Sequence, residues 1–392
     1  MVLYQEVIMI KMLHLSDCGL KNLPYGGINP ETGLNRRFED IARLFEHAIK
    51  IASKEGCKYF IIAGDINEER NPDSFIVERF SSYIASLISL GIEVIIVAGN
   101  HDLDSSKSTS TSISFLKALD LYGTLIADLT PIQHEYDDVV FHCIPYMFPH
   151  QVGGKTNQDV TDYLHKYISQ IKVHRSKPTV LVTHYSTDVT FAGLDVDEPV
   201  IYIDDLSKFS YVALGHIHKY EMFSSFTGGY TGSMFTKDFG EQNDKYVNVV
   251  AFDGDVKIDR VKLPERKFIQ FNLDALDCTT EQLLEKFGEH IDTMGGAAQC
   301  IKDCIVKVSV KSRKRFNPKI IYDVLKRNGA FHFTPIDWKI IRDGNIKRLD
   351  KNAKTDGDIV RSYFSKHEDK DRDGKIEAYI NEKITQWGNS FA

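Results

Sequence analysis

Five short apolar runs punctuate the first 220 residues: IMIKMLHLS (8–16), KYFIIAG (58–64), GIEVIIVAG (91–99), PTVLVTH (178–184) and YVALGH (211–216). Each is rich in Val and Ile, too short for a buried helix, and near-continuous rather than alternating. That combination predicts strands covered on both faces, and so a sandwiched sheet. Between the runs, apolar residues recur at spacings of three and four. Phe38, Ile41, Leu44, Phe45, Ala48 and Ile51 predict a helix over Asn35–Glu55, and Phe75, Phe80, Tyr83, Ile84 and Leu87 predict another over Asp73–Leu90. Gly56 and Gly91 stand where those helices should stop. Alternating strand and helix predict a layered α/β unit over residues 1–262.

After KLPER (262–266) the pattern changes. FIQFNLD, TTEQLLEKFGEHI, CIVKVSVK, a helical stretch from Asn317 to Lys326 and FTPIDWKII predict a second, smaller α+β unit of βαβ type over 263–348. The last stretch, 349–392, is polar until DIVRSYFSK and KIEAYINEKITQW, which predict a linker and a helical tail.

Composition narrows the class. A chain of 392 residues with 42% apolar and 11% aromatic content can bury a sizeable core, and its length suggests two or three folded units at about 150 residues each. The net charge of -7 excludes a uniformly basic nucleic-acid coat. Basic surface is local instead: residues 302–348 hold 13 Lys and Arg against four Asp and Glu. Six cysteines (Cys18, Cys57, Cys143, Cys278, Cys300, Cys304) lack CxxC spacing, which argues against a disulfide framework and a thiolate zinc site and fits a reducing cytoplasm. The apolar N-terminus carries Glu6 and Lys11 and reads as a first strand rather than a signal peptide. No run approaches the roughly 20 apolar residues that cross a bilayer, so a cytoplasmic protein without a membrane anchor is expected.

The chemistry sits where the predicted strands end. They deliver Asp17, Asp65, Asn100 with His101 and Asp102, His184, and His216 with His218. In open α/β sheets the carboxyl ends of strands share one edge, so these sequence-distant residues should converge. Glycines 64, 99 and 215 precede them, as expected where backbone turns beside a ligand. Asp, Asn and His without thiolate suit Mn, Fe or Zn. A two-metal centre, which can hold phosphoryl oxygens and an attacking hydroxide, points to phosphoester hydrolysis.

These residues resemble the calcineurin-like metallophosphoesterases, whose pattern runs D-x-H, GD, GNH[DE], H and GHxH in that order. The resemblance implies a layered β-sandwich flanked by helices and a pair of divalent ions, Mn first, with Mg, Fe or Zn as alternatives. Asp65 would bridge the ions, Asp17 and His218 would hold the first, and Asn100, His184 and His216 the second. His101 would serve the leaving group, with Asp102 orienting or charge-tuning its imidazole. Within the superfamily, GDINEERNPDS, NPETGLNRRFEDI and FHCIPY are similar to the nuclease subunit of SbcCD-type DNA repair complexes, over roughly residues 10–348. That implies a metal-dependent DNA exonuclease with structure-specific endonuclease activity, acting in repair and recombination as a homodimer in a bacterial or phage-infected cell. The unit over 263–348 would cap the site, and an SMC-like ATPase would meet the helical tail. Two positions depart from the pattern. The first motif reads Asp17, Cys18, Gly19, so the usual histidine is missing: either water, a shifted Asp17 or Cys18 fills its place, or the first site is weak and occupied only with substrate. Glu68 stands where the subgroup commonly carries His.

Other features have blander readings. His14, His47, His134, His142, His165 and His174 read as core or surface residues. Lys311, Arg313, Lys314 and Arg315 in KSRKR are either a solvated loop or contacts to a DNA backbone. DKDRDGKIE opens like a calcium loop but has Ile380 at the twelfth position, so it reads as a polar turn. The stripe Ile376, Tyr379, Ile380, Ile384 and Trp387 is core or a partner-docking face. Two functional alternatives stand beside the nuclease: a phosphoesterase for another substrate, and a catalytically weakened scaffold that binds DNA ends.

Overall fold

Strand alternation divides the core in two. In the computed structural model, which describes residues 9–103, 110–118, 123–190, 197–241, 244–293 and 301–341, successive side chains of each buried strand point into different apolar clusters. From β1 (Ile10–Leu15), Met12 faces one cluster while Leu13 and Leu15 face the other. From β2 (Tyr59–Ala63), Tyr59, Ile61 and Ala63 join Met12, and Phe60 and Ile62 join Leu13.

The first cluster lies between two six-stranded sheets. In chain order the elements continue with α1 (Arg36–Glu55), α2 (Ser74–Ser89), β3 (Glu93–Val97), α3 (Ser114–Ala118), β4 (Thr124–Ala127), β5 (Ile132–Glu135), β6 (Val140–Ile144), α4 (Asn157–Gln170) and β7 (Thr179–His184). There follow β8 (Ser186–Thr187), β9 (Val200–Ile201), β10 (Tyr211–Gly215), β11 (Glu221–Met222), β12 (Gly228–Tyr230), β13 (Tyr246–Asp253) and β14 (Asp255–Lys262). One sheet has the order β14-β13-β1-β2-β3-β4 and the other β11-β12-β10-β7-β6-β5. The five apolar runs therefore do not share a sheet: three form the centre of the first, two the centre of the second. Their near-continuous apolarity has a common cause in both, since every central strand has the opposing sheet on one face and the helix-side cluster on the other.

Helix α1 starts at Asn35, whose side chain accepts from the N–H groups of Arg37 and Phe38, and stops at Gly56 in the left-handed conformation. Its apolar face buries Phe38, Ile41 and Phe45 against β1 and β2. Val160, Leu164 and Ile168 of α4 pack with Ile144 and Leu181 of the second sheet. His14 and His142 are buried strand residues as expected; burial lowers their pKa values to about 3 and about 4, so both are neutral.

From Phe268 the chain builds a four-stranded sheet with its own apolar cluster: β15 (Phe268–Ala275), α5 (Thr280–Thr293), β16 (Ile305–Ser312), α6 (Lys319–Arg327), β17 (His332–Phe333) and β18 (Asp337–Ile340). All its strand pairs are parallel. The expected linker and tail, 349–392, with the polar turn at 369–377, lie outside the described residues. So does Cys300; the other five cysteines are free thiols.

A buried ionic clamp ties α1 to the turn before β15. Asp40 accepts from Arg37 at 3.0 Å and from Arg266 at 2.7 and 2.8 Å, and also pairs with Arg43. Burial raises the Asp40 pKa, but the arginines outweigh it and hold the carboxyl below its usual range. Arg37 is 1% exposed, so removing its partner leaves an unpaired charge in the core. Asp40→Ala is expected to cost about 3–5 kcal/mol, read as a lower urea midpoint with an unchanged slope.

Candidate metal centre

Three strand ends turn through the same unfavourable backbone region. Asp17, Asp65 and His216 have φ values of 51°, 49° and 98°, where L-residues cost about 1–3 kcal/mol each. Two of them converge with the end of β7: one ligand atom each of Asp17, Asp65 and His184 lies within 4.8 Å of the other two, and all three residues are buried. Asp17 donates its N–H to the Gly64 carbonyl, which holds the first two strand ends side by side. Glycine is required at two contacts: a Cβ on Gly99 would lie 2.2 Å from Asp65 Oδ1, and one on Gly215 1.8 Å from the Ala63 carbonyl oxygen.

The remaining predicted side chains flank this trio. On one side His218 Nε2 is 3.7 Å from Asp17 Oδ1. On the other, His216 Nδ1 faces Asn100 Oδ1 at 3.1 Å, and the rings of His184 and His216 are 5.2 Å apart. His101 donates its backbone N–H to Asp65 Oδ1 at 2.9 Å, and its imidazole, 43% exposed, sits with Nε2 4.0 Å from Asp65 Oδ2.

One atom tests whether these residues fit a divalent ion. His184 Nδ1 donates to the Ala63 carbonyl at 2.8 Å, which leaves Nε2 as the lone-pair nitrogen. Nε2 is buried, has no hydrogen-bond partner among the described residues, and faces Asp65 Oδ2 at 3.3 Å. Without a cation the pocket takes its positive charge from a proton: burial lowers the His184 pKa, but Asp65 and Asp17 outweigh it and raise the value to about 9. Burial likewise opposes charge on Asp65, and His184 overcomes it, holding that carboxyl well below the usual range. Two buried carboxylates gathered around an orphaned imidazole nitrogen fit a hard or borderline divalent cation.

Asp102 is placed differently from the expectation. Its carboxylate accepts from the N–H groups of Ile66, Asn67 and Gly99 and from Ser112 Oγ at 3.0–3.2 Å, and no hydrogen bond among the described residues joins it to the His101 imidazole. It stitches the Asp65 loop to the Asn100 loop; burial and the Asp65 charge push its pKa up to about 6. Cys18 does not fill the place of the missing histidine: it is fully buried in the helix-side cluster, and burial with the Asp17 charge drives its thiol pKa far up. Lys311, Arg313, Lys314 and Arg315 are exposed at the end of β16 and just beyond it. Lys311 pairs with Asp274 and Arg313 with Asp277, so the patch is less positive than its run suggests.

Two carboxylates escaped the sequence reading. Glu241 Oε1 accepts from His218 Nδ1 at 2.8 Å and leaves Nε2 facing Asp17. Burial raises the Glu241 pKa, but His218 and Lys245 outweigh it and bring it down to about 2. Glu198 Oε2 lies 3.2 Å from His216 Nε2, leaving Nδ1 toward Asn100. Both glutamates lie on loops at no motif spacing from their histidines.

Two outcomes follow for metal-free protein. The His184 proton stabilises the fold fully below about pH 6.5, and this contribution is lost as pH rises through about 9. Its thermal midpoint should therefore fall across that window, while His184→Gln should flatten the slope. Gly99→Ala should displace Asp65 and lower manganese affinity about tenfold or more by calorimetry, with a native circular dichroism spectrum.

The calcineurin-like phosphoesterase family profile matches residues 10–220, from β1 through the GHIH strand end. The SbcD component of the SbcCD nuclease of Escherichia coli K12 is 25% identical over 256 residues, which are 56% of this chain and 62% of that protein. The chain thus covers less than two thirds of that relative's length. DNA double-strand break repair protein Mre11 of Sulfurisphaera tokodaii is 24% identical over 88% of this chain and 84% of its own, and that of Aeropyrum pernix 27% over 86% and 82%. With more than half its length matched by the profile and the strand-end residues gathered at one point, the chain belongs to the calcineurin-like phosphoesterase family, whose members are metal-dependent phosphoester hydrolases.

Proposed function

We propose that this protein is a DNA nuclease that hydrolyses phosphodiester bonds with two divalent ions, manganese foremost. The observation that carries the reading is the arrangement around Asp65: Asp17 with His218 on one side, and His184, His216 and Asn100 on the other. That is enough donors for two adjacent ions with a carboxylate between them. Bound ions supply Lewis acidity, neutralising phosphate charge and lowering the pKa of an attacking water.

The chain's own residues do the rest. His184 and His218 hold their donor nitrogens in place through Ala63 and Glu241, and Asp102 fixes the loop that carries Asp65. His101 stands over Asp65 with its imidazole at the open edge, where it can give a proton to a departing sugar oxygen. DNA as substrate is supported by the names of the relatives, a nuclease component and double-strand break repair proteins. The same likeness supports exonucleolytic and structure-specific endonucleolytic cleavage with an SMC-like ATPase partner, homodimerisation, and capping of the site by residues 263–348. Among the described residues no helix is long and apolar enough to cross a membrane.

Replacing His101 separates catalysis from binding. His101→Ala is expected to bind manganese with the parent's stoichiometry and to cut linear duplex DNA about 10²–10⁴-fold more slowly. Cleavage at the parent rate would remove His101 from the mechanism. Hydrolysis of a generic phosphodiester without cleavage of DNA would move the chain to another substrate.

A further inference from the structure

The two departures from the family pattern meet in space. Gly19 has φ +55°, and a Cβ built on it would lie 2.9 Å from Phe235 Cε1 and 3.0 Å from Glu68 Oε1. The place of a side chain at position 19 is thus already taken, by an aromatic edge and a carboxylate oxygen. Backbone pairing fixes this juxtaposition. Gly19 donates its N–H to the Asp65 carbonyl at 3.0 Å and Leu20 to the Ile66 carbonyl at 2.9 Å, so residue 68 emerges beside residue 19. The Glu68 side chain is 12% exposed and pairs with Lys237 Nζ at 2.5 Å. Lys237 in turn gives its backbone N–H to Glu241, the residue that orients His218 toward Asp17.

We propose that Glu68 supplies the protein ligand that position 19 lacks for the first ion, with Lys237 neutralising the carboxylate until a cation takes over. The inference rests on the two-ion reading above and adds to it a ligand of different chemistry. That a cation belongs in this cleft is indicated separately, on the second ion's side, by the buried Nε2 of His184, which has no hydrogen-bond partner among the described residues and faces Asp65. A carboxylate in place of the family's imidazole would raise the negative charge of the first site and make it harder, which favours Mn or Mg over Zn. The nearby ammonium explains how such a carboxylate is tolerated in metal-free protein.

The test is calorimetric titration of manganese(II) chloride, and separately zinc chloride, into metal-free full-length protein, with melting curves to confirm the fold of each variant. Parent protein should bind two manganese ions. Glu68→Gln, nearly isosteric, should keep one step at the parent's affinity and weaken the other about tenfold or more for manganese, with a smaller loss for zinc. Lys237→Met should tighten the same step. Two steps at the parent's affinities in Glu68→Gln, or equal losses for both metals, would overturn the assignment while leaving the two-ion reading intact. A parent that binds a single ion would overturn that reading and this assignment together.

Discussion

Two carboxylates buried within a few ångströms of each other are the constraint on which the rest of the site depends. Asp17 and Asp65 are 2% and 3% exposed, and water cannot screen them there. They are held together by backbone: the strand ends of β1 and β2 are hydrogen-bonded side by side, and both aspartates occupy left-handed φ. Such a pocket requires a cation. In metal-free protein the proton on His184 meets that requirement, and a divalent ion held by Asp17, Asp65 and His184 would take its place. The site is thus tuned by desolvation as much as by ligand count.

The sandwich supplies the rigidity this demands. β1 and β2 lie in one sheet and β7 and β10 in the other, so the ligand trio spans the seam between sheets. Close approach across that seam is what excludes a side chain at Gly215, where a Cβ would meet the Ala63 carbonyl. Packed layers on both sides of each sheet cannot relax to relieve carboxylate repulsion, so the strain is carried at the strand ends instead.

Legibility followed from how locally each feature is encoded. The five central strands, α1 and α2 were readable because burial on both faces and helical spacing are local patterns; observed and expected limits agree to within a few residues. Their division between two sheets was not, because pairing partners lie far apart in sequence. β6 and β13 went unread although buried, and the glycine-bearing β12 offers no apolar pattern. In the site, GNHD and GHIH announced themselves because the donors are adjacent in sequence. Glu198 and Glu241 did not, since each reaches its histidine from a loop with no fixed spacing. Asp102 was legible as a residue of the site but not in its role, because three of its hydrogen bonds go to backbone N–H groups.

Charge also sets the order of events at the site. Asp17 and Asp65 are buried at the strand ends, and Glu198 and Glu241 stand beside His216 and His218, so a phosphate brought there meets carboxylates first. Bound divalent ions reverse the sign of the local field. In the basic run at Lys311–Arg315, Asp274 and Asp277 already engage two of the four cations. On the proposed two-ion reading, ion loading would turn an acidic cleft into a phosphate site. A polyanionic substrate would then gain its favourable contacts only after the carboxylates have theirs.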